Sequence, residues 1–548
     1  MTLALSDELW SRILVATILA FGALVLVQLK NLYDFAIRPS RVLRHLPGPV
    51  PDSWLGGNAR TLMKNAPGTS QKGWHAAFGK VILWRGFFML PRVSITDKRA
   101  LQHILVQEAY KFPKSSFDRR FLAGILGEGL IVVEGADHAR QRKVMNPAFG
   151  PANIKAMYPI LLDKAFLFRD ATLKMINEST VRPLRINLVR HMVGVTLDVI
   201  GAAGFGYDIG AIEHGEKNEL VKAFNYFFAN NSNFDWRMIL FRIFPALEIL
   251  PDFSERSKSR KQAFATMQRI GAEIVGDKKK VALAEAQSGT KSAGSAKDLL
   301  ALLVRANIAD DLKVSQKLSD EEVAAQISTF LLAGNETTAT ALNWTVYGML
   351  KHPHIQEKLR AEALAFPSDS PTYDEVHSLK YLDAVVRETL RVYAPILGTS
   401  RVASEDSVIP LDEPIIGKDG VKRTELFVPR NTRLDVPTMT MNTDESVWGP
   451  DATEFRPERW LEEKLPEGVL EMPSLASPTF LAGPRACIGF RLTLIEMKIV
   501  LFTLLRAIKF DSAVPIDDIE AGFFMVTFPR LKEEKKKGAQ LPVLVSLV

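Results

Sequence analysis

Cysteine is almost missing: one residue, Cys487, serves a chain of 548. A single thiol excludes any disulfide within the chain and any zinc site built from paired cysteines. By itself such a residue usually acts as a small buried apolar side chain, so its neighbours must decide its role. Charge of one sign is scarce as well. Lys+Arg 69 against Asp+Glu 62 leaves a net charge of +7. The runs Lys278-Lys279-Lys280 and Lys535-Lys536-Lys537 are short and carry no interleaved aromatics, so no nucleic-acid partner is expected. The histidines lack metal-ligand spacing; His352 and His354 simply flank a proline. No glycine-rich dinucleotide fingerprint stands in a β–α–β context, and no internal repeat recurs.

One long run lacks charge. Ile13 to Leu29 reads ILVATILAFGALVLVQL, which as a helix of about 1.5 Å per residue spans about 26 Å, near the hydrocarbon thickness of a bilayer. Leu9 and Trp10 extend it, with Arg12 snorkelling to the interface. No small-residue cleavage site follows before Lys30, so the run reads as a retained signal anchor rather than a cleaved peptide. Basic residues (Lys30, Arg38, Arg41, Arg44) crowd its downstream side, while Asp7 and Glu8 precede it. The positive-inside rule then places the bulk of the chain on the cytoplasmic side. A transporter is excluded by having one span.

Leu46 to Asn58 (LPGPVPDSWLGGN) holds three prolines and three glycines and cannot continue a helix. The expected division is therefore an anchor over 1–30, a basic, Pro/Gly-rich stiff hinge over 31–58, and one large domain over 59–548. The small polar stretch Gln287 to Lys297 reads as a surface loop inside that domain. Apolar residues recur at helical steps over Leu299–Ala306 and Glu321–Met349, the latter opened by a Ser319/Glu322 capping box. Short alternating segments (Val81–Trp84, Val93–Thr96, Glu425–Val428, Leu541–Leu547) predict small sheets. The fold class is mainly α with small β-sheets.

Around the thiol the chain runs Phe480-Leu481-Ala482-Gly483-Pro484-Arg485-Ala486-Cys487-Ile488-Gly489, a tight loop followed by the helical pattern Leu492–Leu505. Such a loop can aim backbone N–H groups and a helix N-terminus at sulfur, lowering the thiol pKa. Arg485 adds a cation, and Phe480 an aromatic face against water. Phe-x-x-Gly-x-Arg-x-Cys-x-Gly resembles the haem-binding signature of the cytochrome P-450 family at every fixed position. The resemblance implies that family's fold and haem b, its iron held by the Cys487 thiolate, with Phe480, Gly483, Arg485 and Gly489 around it. A thiolate ligand favours O–O cleavage in that class.

Further segments extend the resemblance across nearly the whole chain. Ala333-Gly334-Asn335-Glu336-Thr337-Thr338 interrupts an apolar helix with an acid and a hydroxyl, and Gly334 locally weakens that helix. It is similar to the family's acid–alcohol motif, which implies that Glu336 and Thr337 help deliver the protons that dioxygen reduction consumes. Glu388 and Arg391 in YLDAVVRETLRVYAP share a helix face, but so do Glu357 and Arg360 in QEKLR, which read as an exposed pair. Context selects the first pair, since Phe455-Arg456-Pro457-Glu458-Arg459-Trp460 resembles the family motif whose Arg459 would join Glu388 and Arg391 in a buried network. Trp460 replaces the usual Phe there. Gly135 to Arg142 (GADHARQR) looks like the helix that offers His138 and Arg142 to the haem propionates, with His138 at a position that is commonly Trp. Arg401, in GTSRVASED, fits a further propionate-binding arginine. Segments such as KDLLALLVRAN and DHARQRKVMNPAF look fungal, specifically mushroom-like.

The expected function is therefore insertion of one oxygen atom from O₂ into an apolar molecule. The substrate is expected to be terpenoid, sterol or fatty-acid-like, as suits secondary metabolism. The apolar lining expected is Phe117, Phe121, Leu122 and Ile125, then Ile396 and Leu397, then Phe523, Phe524 and Met525. Electrons would come from NADPH through a membrane-bound NADPH–haemoprotein reductase, with cytochrome b5 as a second donor. Arg140, Arg142, Lys143 and Arg485 are expected to form its basic docking patch. The location implied is the endoplasmic reticulum membrane, single-pass. Two other readings stand beside this one. A haem-thiolate isomerase or dehydratase would need neither O₂ nor NADPH, and a non-enzymatic haem sensor or carrier would not need Glu336 and Thr337. Finally, Phe224 to Phe253 is rich in aromatics without one clean helical face. With Trp236 between Phe234 and Phe241, and Arg237 and Arg242 nearby, it reads as a second membrane contact.

Overall fold

A computed structural model describes residues 7–223, 225, 254–288, 298–308, 317–463 and 478–548. The aromatic stretch from Phe224 to Phe253, including Phe234, Trp236, Arg237, Phe241, Arg242 and Phe244, lies outside the described residues, apart from Asn225. So do residues 289–297 of the expected surface loop; Gln287 and Ser288 end the helix Glu255–Ser288.

The apolar run forms the helix Asp7–Leu32, with no buried residue in its apolar window. Among the described residues it is the one helix long and apolar enough to cross a membrane, which is consistent with an anchor. It does not stop at residue 30. One wide turn (Tyr33–Ile37) and the short helices Arg38–Val42 and Leu43–His45 carry it to the prolines.

The expected stiff hinge is in fact docked. Leu43 and Leu46 are fully buried, the Leu83 N–H donates to the Pro47 carbonyl at 2.8 Å, and Arg38 pairs with Asp406. A Cβ on Gly48 would stand 1.9 Å from the Leu83 carbonyl oxygen, so only glycine lets the chain lie against that strand. Asn58, 1% exposed, donates to the Val50 carbonyl and accepts from the Arg85 N–H. From about Arg38 onward, then, the basic and Pro/Gly-rich segment packs as part of the large domain rather than joining two bodies.

That domain is predominantly helical. A large apolar core gathers the long helices, and a second one lines the sheet side. The four-stranded sheet runs Val81–Arg85, Pro91–Ile95, Arg433–Val436, Thr399–Val402; the middle pair is parallel and the outer pairs antiparallel. It sets Arg401 opposite Leu434. Through the middle passes the helix Asp320–Lys351, buried almost throughout and opened by the expected Ser319/Glu322 capping box. At 32 residues it is about 48 Å long. It packs on the helices Leu188–Val199, Lys380–Val392 and Phe490–Leu505. The elements bearing the cysteine, the acid–alcohol pair and Glu388 are thereby held around one another.

Candidate active site

The cysteine loop is shaped by two backbone constraints. Gly483 has φ +71°, and a Cβ there would lie 2.0 Å from the Leu105 carbonyl oxygen. No other residue fits. The Cys487 N–H donates to the Phe480 carbonyl at 2.8 Å and the Ala486 N–H to Gly483 at 3.0 Å. These bonds close the loop just before the helix Phe490–Leu505. Phe480 is buried against Phe490, ring centres 6.0 Å apart.

Cys487 has an exposed side chain, yet burial pushes its thiol up. A group that faces open space and is still desolvated faces a hollow rather than the outer surface. The opposing pulls come from the Gly489 N–H and from Arg142. One expectation changes here: desolvation outweighs the loop's thiolate-stabilising groups. Gly489 differs from Gly483: a Cβ on it would meet only the Phe149 ring, at 4.0 Å. Protein packing does not demand glycine there, which leaves room beside the loop for a ligand.

Around Arg485 of the loop gathers a surplus of buried positive charge. Arg401, 3% exposed, donates to the Thr399 hydroxyl and the Ser400 carbonyl, and has no carboxylate in ion-pair range among the described residues. Burial, aided by Arg485, lowers it to about 10. Arg485 donates to the Ala109 carbonyl, pairs with Glu134, and stacks on the Tyr110 ring at 4.9 Å. Lys114 also binds Glu134, at 2.6 Å; burial first, then Arg401 and Arg485, bring it down to about 8. His138, 2% exposed, meets the Tyr110 hydroxyl at 3.1 Å, and burial followed by the repulsion of Arg485 and Lys114 lowers it to about 4. Arg142 donates to the Ala486 carbonyl at 2.6 Å, beside the cysteine. Glu134 pairs with both Arg485 and Lys114, and only the longer-range pull of Glu134 and Asp118 acts on Arg401, so cations outnumber carboxylates here. The arrangement fits a ligand that brings its own negative charges, as haem does with two propionates.

Lys114, Tyr110 and Glu134 escaped the sequence reading. Nothing in EAYKFPKSS or VVEGA marks them, because Lys114 and Glu134 meet across twenty residues, Tyr110 and His138 across twenty-eight, and Arg485 reaches Glu134 from 351 residues on. The expected basic docking patch also fails to form. Arg140 is committed to Glu322 (2.5 Å) and the Lys317 carbonyl, while Arg142 and Arg485 turn inward; only Lys143 is exposed.

On the central helix, Thr337 donates back to the Ala333 carbonyl at 2.7 Å. Burial alone pushes Glu336 up to about 7, and no donor among the described residues reaches its carboxylate. The Phe149 ring, which borders Gly489, packs edge-on against Phe330 at 5.4 Å, linking the cysteine loop to this helix.

The scaffold network is complete. Glu388 accepts from Arg391 (2.7 and 2.8 Å), from Arg459 Nε (2.9 Å), from the Arg456 N–H and from Trp460 Nε1 (both 2.9 Å). Trp460, a departure from Phe, thus adds a donor. Glu357 is exposed as expected, but Arg360 is not its partner; it binds the Leu505 and Ile508 carbonyls. Of the expected pocket lining, Phe117, Phe121, Leu122, Ile396, Leu397, Phe524 and Met525 are partly buried, Ile125 is core, and Phe523 is 47% exposed.

A part-buried thiol loop, a buried arginine without a carboxylate partner among the described residues and a helix bearing an acid and an alcohol fit a haem-thiolate site. A sequence profile described as Cytochrome P450 matches residues 47–534. The chain is 40% identical to Cytochrome P450 monooxygenase 128 and to Cytochrome P450 monooxygenase 205 of Postia placenta, each over 92% of both chains. It is 32% identical to Cytochrome P450 monooxygenase claP of Ampulloclitocybe clavipes, over 92% of this chain and 93% of that one. The protein belongs to the cytochrome P450 family and is a haem-thiolate monooxygenase with fungal relatives.

Proposed function

We propose that Cys487 would ligate the haem iron and that Arg142, Arg401, Arg485 and His138, joined by Lys114, would hold the propionates. Phe480, Gly483 and Gly489 shape the loop. The observation that carries this reading is Arg401, a buried arginine without a carboxylate in ion-pair range among the described residues, close enough to feel Arg485 of the cysteine loop, whose Cys487 is exposed yet desolvated. Bound there, haem supplies dioxygen activation and the oxidant that places one oxygen atom in the substrate. The chain's own residues do the rest. Gly489 and Arg142 stabilise negative charge on Sγ. Glu336, held near neutrality by burial, can carry a proton at a carboxylate oxygen, and the Thr337 hydroxyl can pass one. Glu388, Arg391 and Arg459 keep the scaffold around the cysteine loop fixed. The retained acid–alcohol pair supports oxygen insertion over isomerisation.

Partly buried phenylalanine and leucine side chains support an apolar substrate of terpenoid, sterol or fatty-acid type. Electrons come from NADPH through a separate membrane-bound reductase, with cytochrome b5 as an auxiliary donor. The exposed apolar helix supports a single-pass anchor in the endoplasmic reticulum membrane, with the catalytic domain on the cytoplasmic side. The division we propose is an anchor over about residues 7–32, a transition to residue 37, and a catalytic domain from about residue 38. Co-expression with a fungal reductase in yeast, followed by untargeted comparison of lipid and terpenoid extracts, tests the substrate class. New oxygenated apolar products that require NADPH and O₂ are expected. Products only from polar precursors, or turnover without either co-substrate, would contradict it.

A further inference from the structure

The residue between Gly334 and Glu336 carries an amide where an apolar helix offers no evident need for one. Asn335 is fully buried, and its Oδ1 lies 2.5 Å from Thr196 Oγ1 on the helix Leu188–Val199. Thr196 is fully buried too, and its hydroxyl is also 2.9 Å from the Met192 carbonyl. One hydroxyl has one proton to give. The pair is complete if Thr196 donates to the amide oxygen. It is equally complete if the amide is turned over, so that its nitrogen donates to Thr196 while Thr196 donates to Met192. In both arrangements a buried hydrogen bond joins the two helices.

A second contact beside it fixes the same face. A Cβ on Gly334 would meet Ile200 Cδ1 at 3.1 Å, and Ile200 follows directly on the helix that bears Thr196. Gly334 and Asn335 are thus both set against one neighbouring element, residues 188–204. Side chains on a helix step by about 100° per residue. Fixing residue 335 toward that element therefore fixes where residues 336 and 337 point. Without the lock, the turn weakened by Gly334 and by the Thr337 bond back to Ala333 loses a buried polar contact that fixes its azimuth.

We infer that Asn335 is a positioning residue: its buried hydrogen bond with Thr196 sets the azimuth of the central helix and thereby aims Glu336 and Thr337. This inference rests on the reading of those two residues as the proton-delivering pair. The amide's other end is buried without a partner, as is the Thr338 hydroxyl three residues on. That is the cost of a polar lock in an apolar layer.

Three variants of the full-length chain, Asn335→Leu, Thr196→Val and Thr337→Ala, test it. Hydrogen–deuterium exchange of the amides over 333–338 is measured on each, with the helix 380–392 as internal reference. Peroxide released per NADPH consumed is measured with a fungal reductase and 7-ethoxycoumarin as probe. The lock predicts about tenfold faster exchange at 333–338 in both Asn335→Leu and Thr196→Val, an unchanged reference helix, and a several-fold higher peroxide share. Thr196→Val keeps the side-chain shape and decides the matter if Asn335→Leu fails to fold. Unchanged exchange, or an unchanged peroxide share beside a raised one in Thr337→Ala, overturns the positioning role alone. An unchanged share in Thr337→Ala overturns the proton-delivery reading, and the inference with it.

Discussion

Glu388 and Glu336 are both acids set into the core, the first fully buried and the second part-buried, and the protein treats them oppositely. Glu388 is fully buried and accepts five hydrogen bonds from Arg391, Arg459, Trp460 and the Arg456 backbone. Glu336 has no donor among the described residues, and burial pushes it up to about 7. A buried carboxylate with its lone pairs filled holds segments together and gives up nothing to solvent. One left unfilled is poised between two protonation states near neutral pH, which is useful for moving protons and costly for stability. The difference separates scaffold from chemistry within one core.

The largest effect should come from breaking the filled site. Glu388→Ala strands the Arg391 guanidinium and leaves Arg459 with Asp451 alone, and about 3–5 kcal/mol should be lost. Little haem-loaded protein should be recovered on purification; a normal yield would deny the network its structural role. Glu336→Gln should fold well but lower the rate of product formation by about 10²-fold, the usual scale for a lost general acid. In the parent, coupling should fall as pH rises through about 7, where Glu336 loses its proton, and the variant should show no such step.

The sign of the stability effect follows from the same shift. The folded-state pKa is raised, so the unfolded chain releases its proton first. Stability therefore falls as pH rises from the ordinary glutamate value of 4.5 to about 7. Glu336→Gln should remove that loss, gaining at most about 3 kcal/mol above pH 7 in denaturant titrations and nothing below pH 4. Glu496 sharpens the comparison from a third position. It lies on the cysteine helix, 3% exposed, with Oε1 unpartnered and its pKa pushed well up by burial. Glu496→Gln should likewise stabilise at neutral pH while leaving peroxide release per NADPH unchanged. A rise in peroxide would mean that unfilled burial, not place on the central helix, marks a proton carrier. Smallest of all, Glu357→Ala should change stability by no more than about 0.5 kcal/mol, since this acid is exposed.

What the sequence makes legible follows the range of the interactions. The cysteine loop is local, and its ten residues carry their own constraints, down to Gly483 against Leu105. The capping box at Ser319 and Glu322 is equally local and stands as expected. Glu388 could be told from its twin Glu357 only by its surroundings. The docked segment left a faint trace in Leu43 and Leu46, which the prolines beside them obscured. The propionate-side cluster left none. Lys114, Tyr110 and Glu134 acquire meaning when residues 109–114 meet residues 134 and 485, a juxtaposition that only the folded chain supplies. The basic docking patch failed for the same reason, because Arg140 and Arg485 found carboxylates inside the protein.

Cys487 carries the whole account, since no other thiol exists to replace it. The most direct measurement is the absorbance of the reduced carbon-monoxide complex of the full-length protein and its Cys487→Ser variant. The parent should show the red-shifted band of a thiolate-ligated haem and the variant should lack it entirely. A variant that keeps the band would contradict the assignment of the ligand and everything built on it.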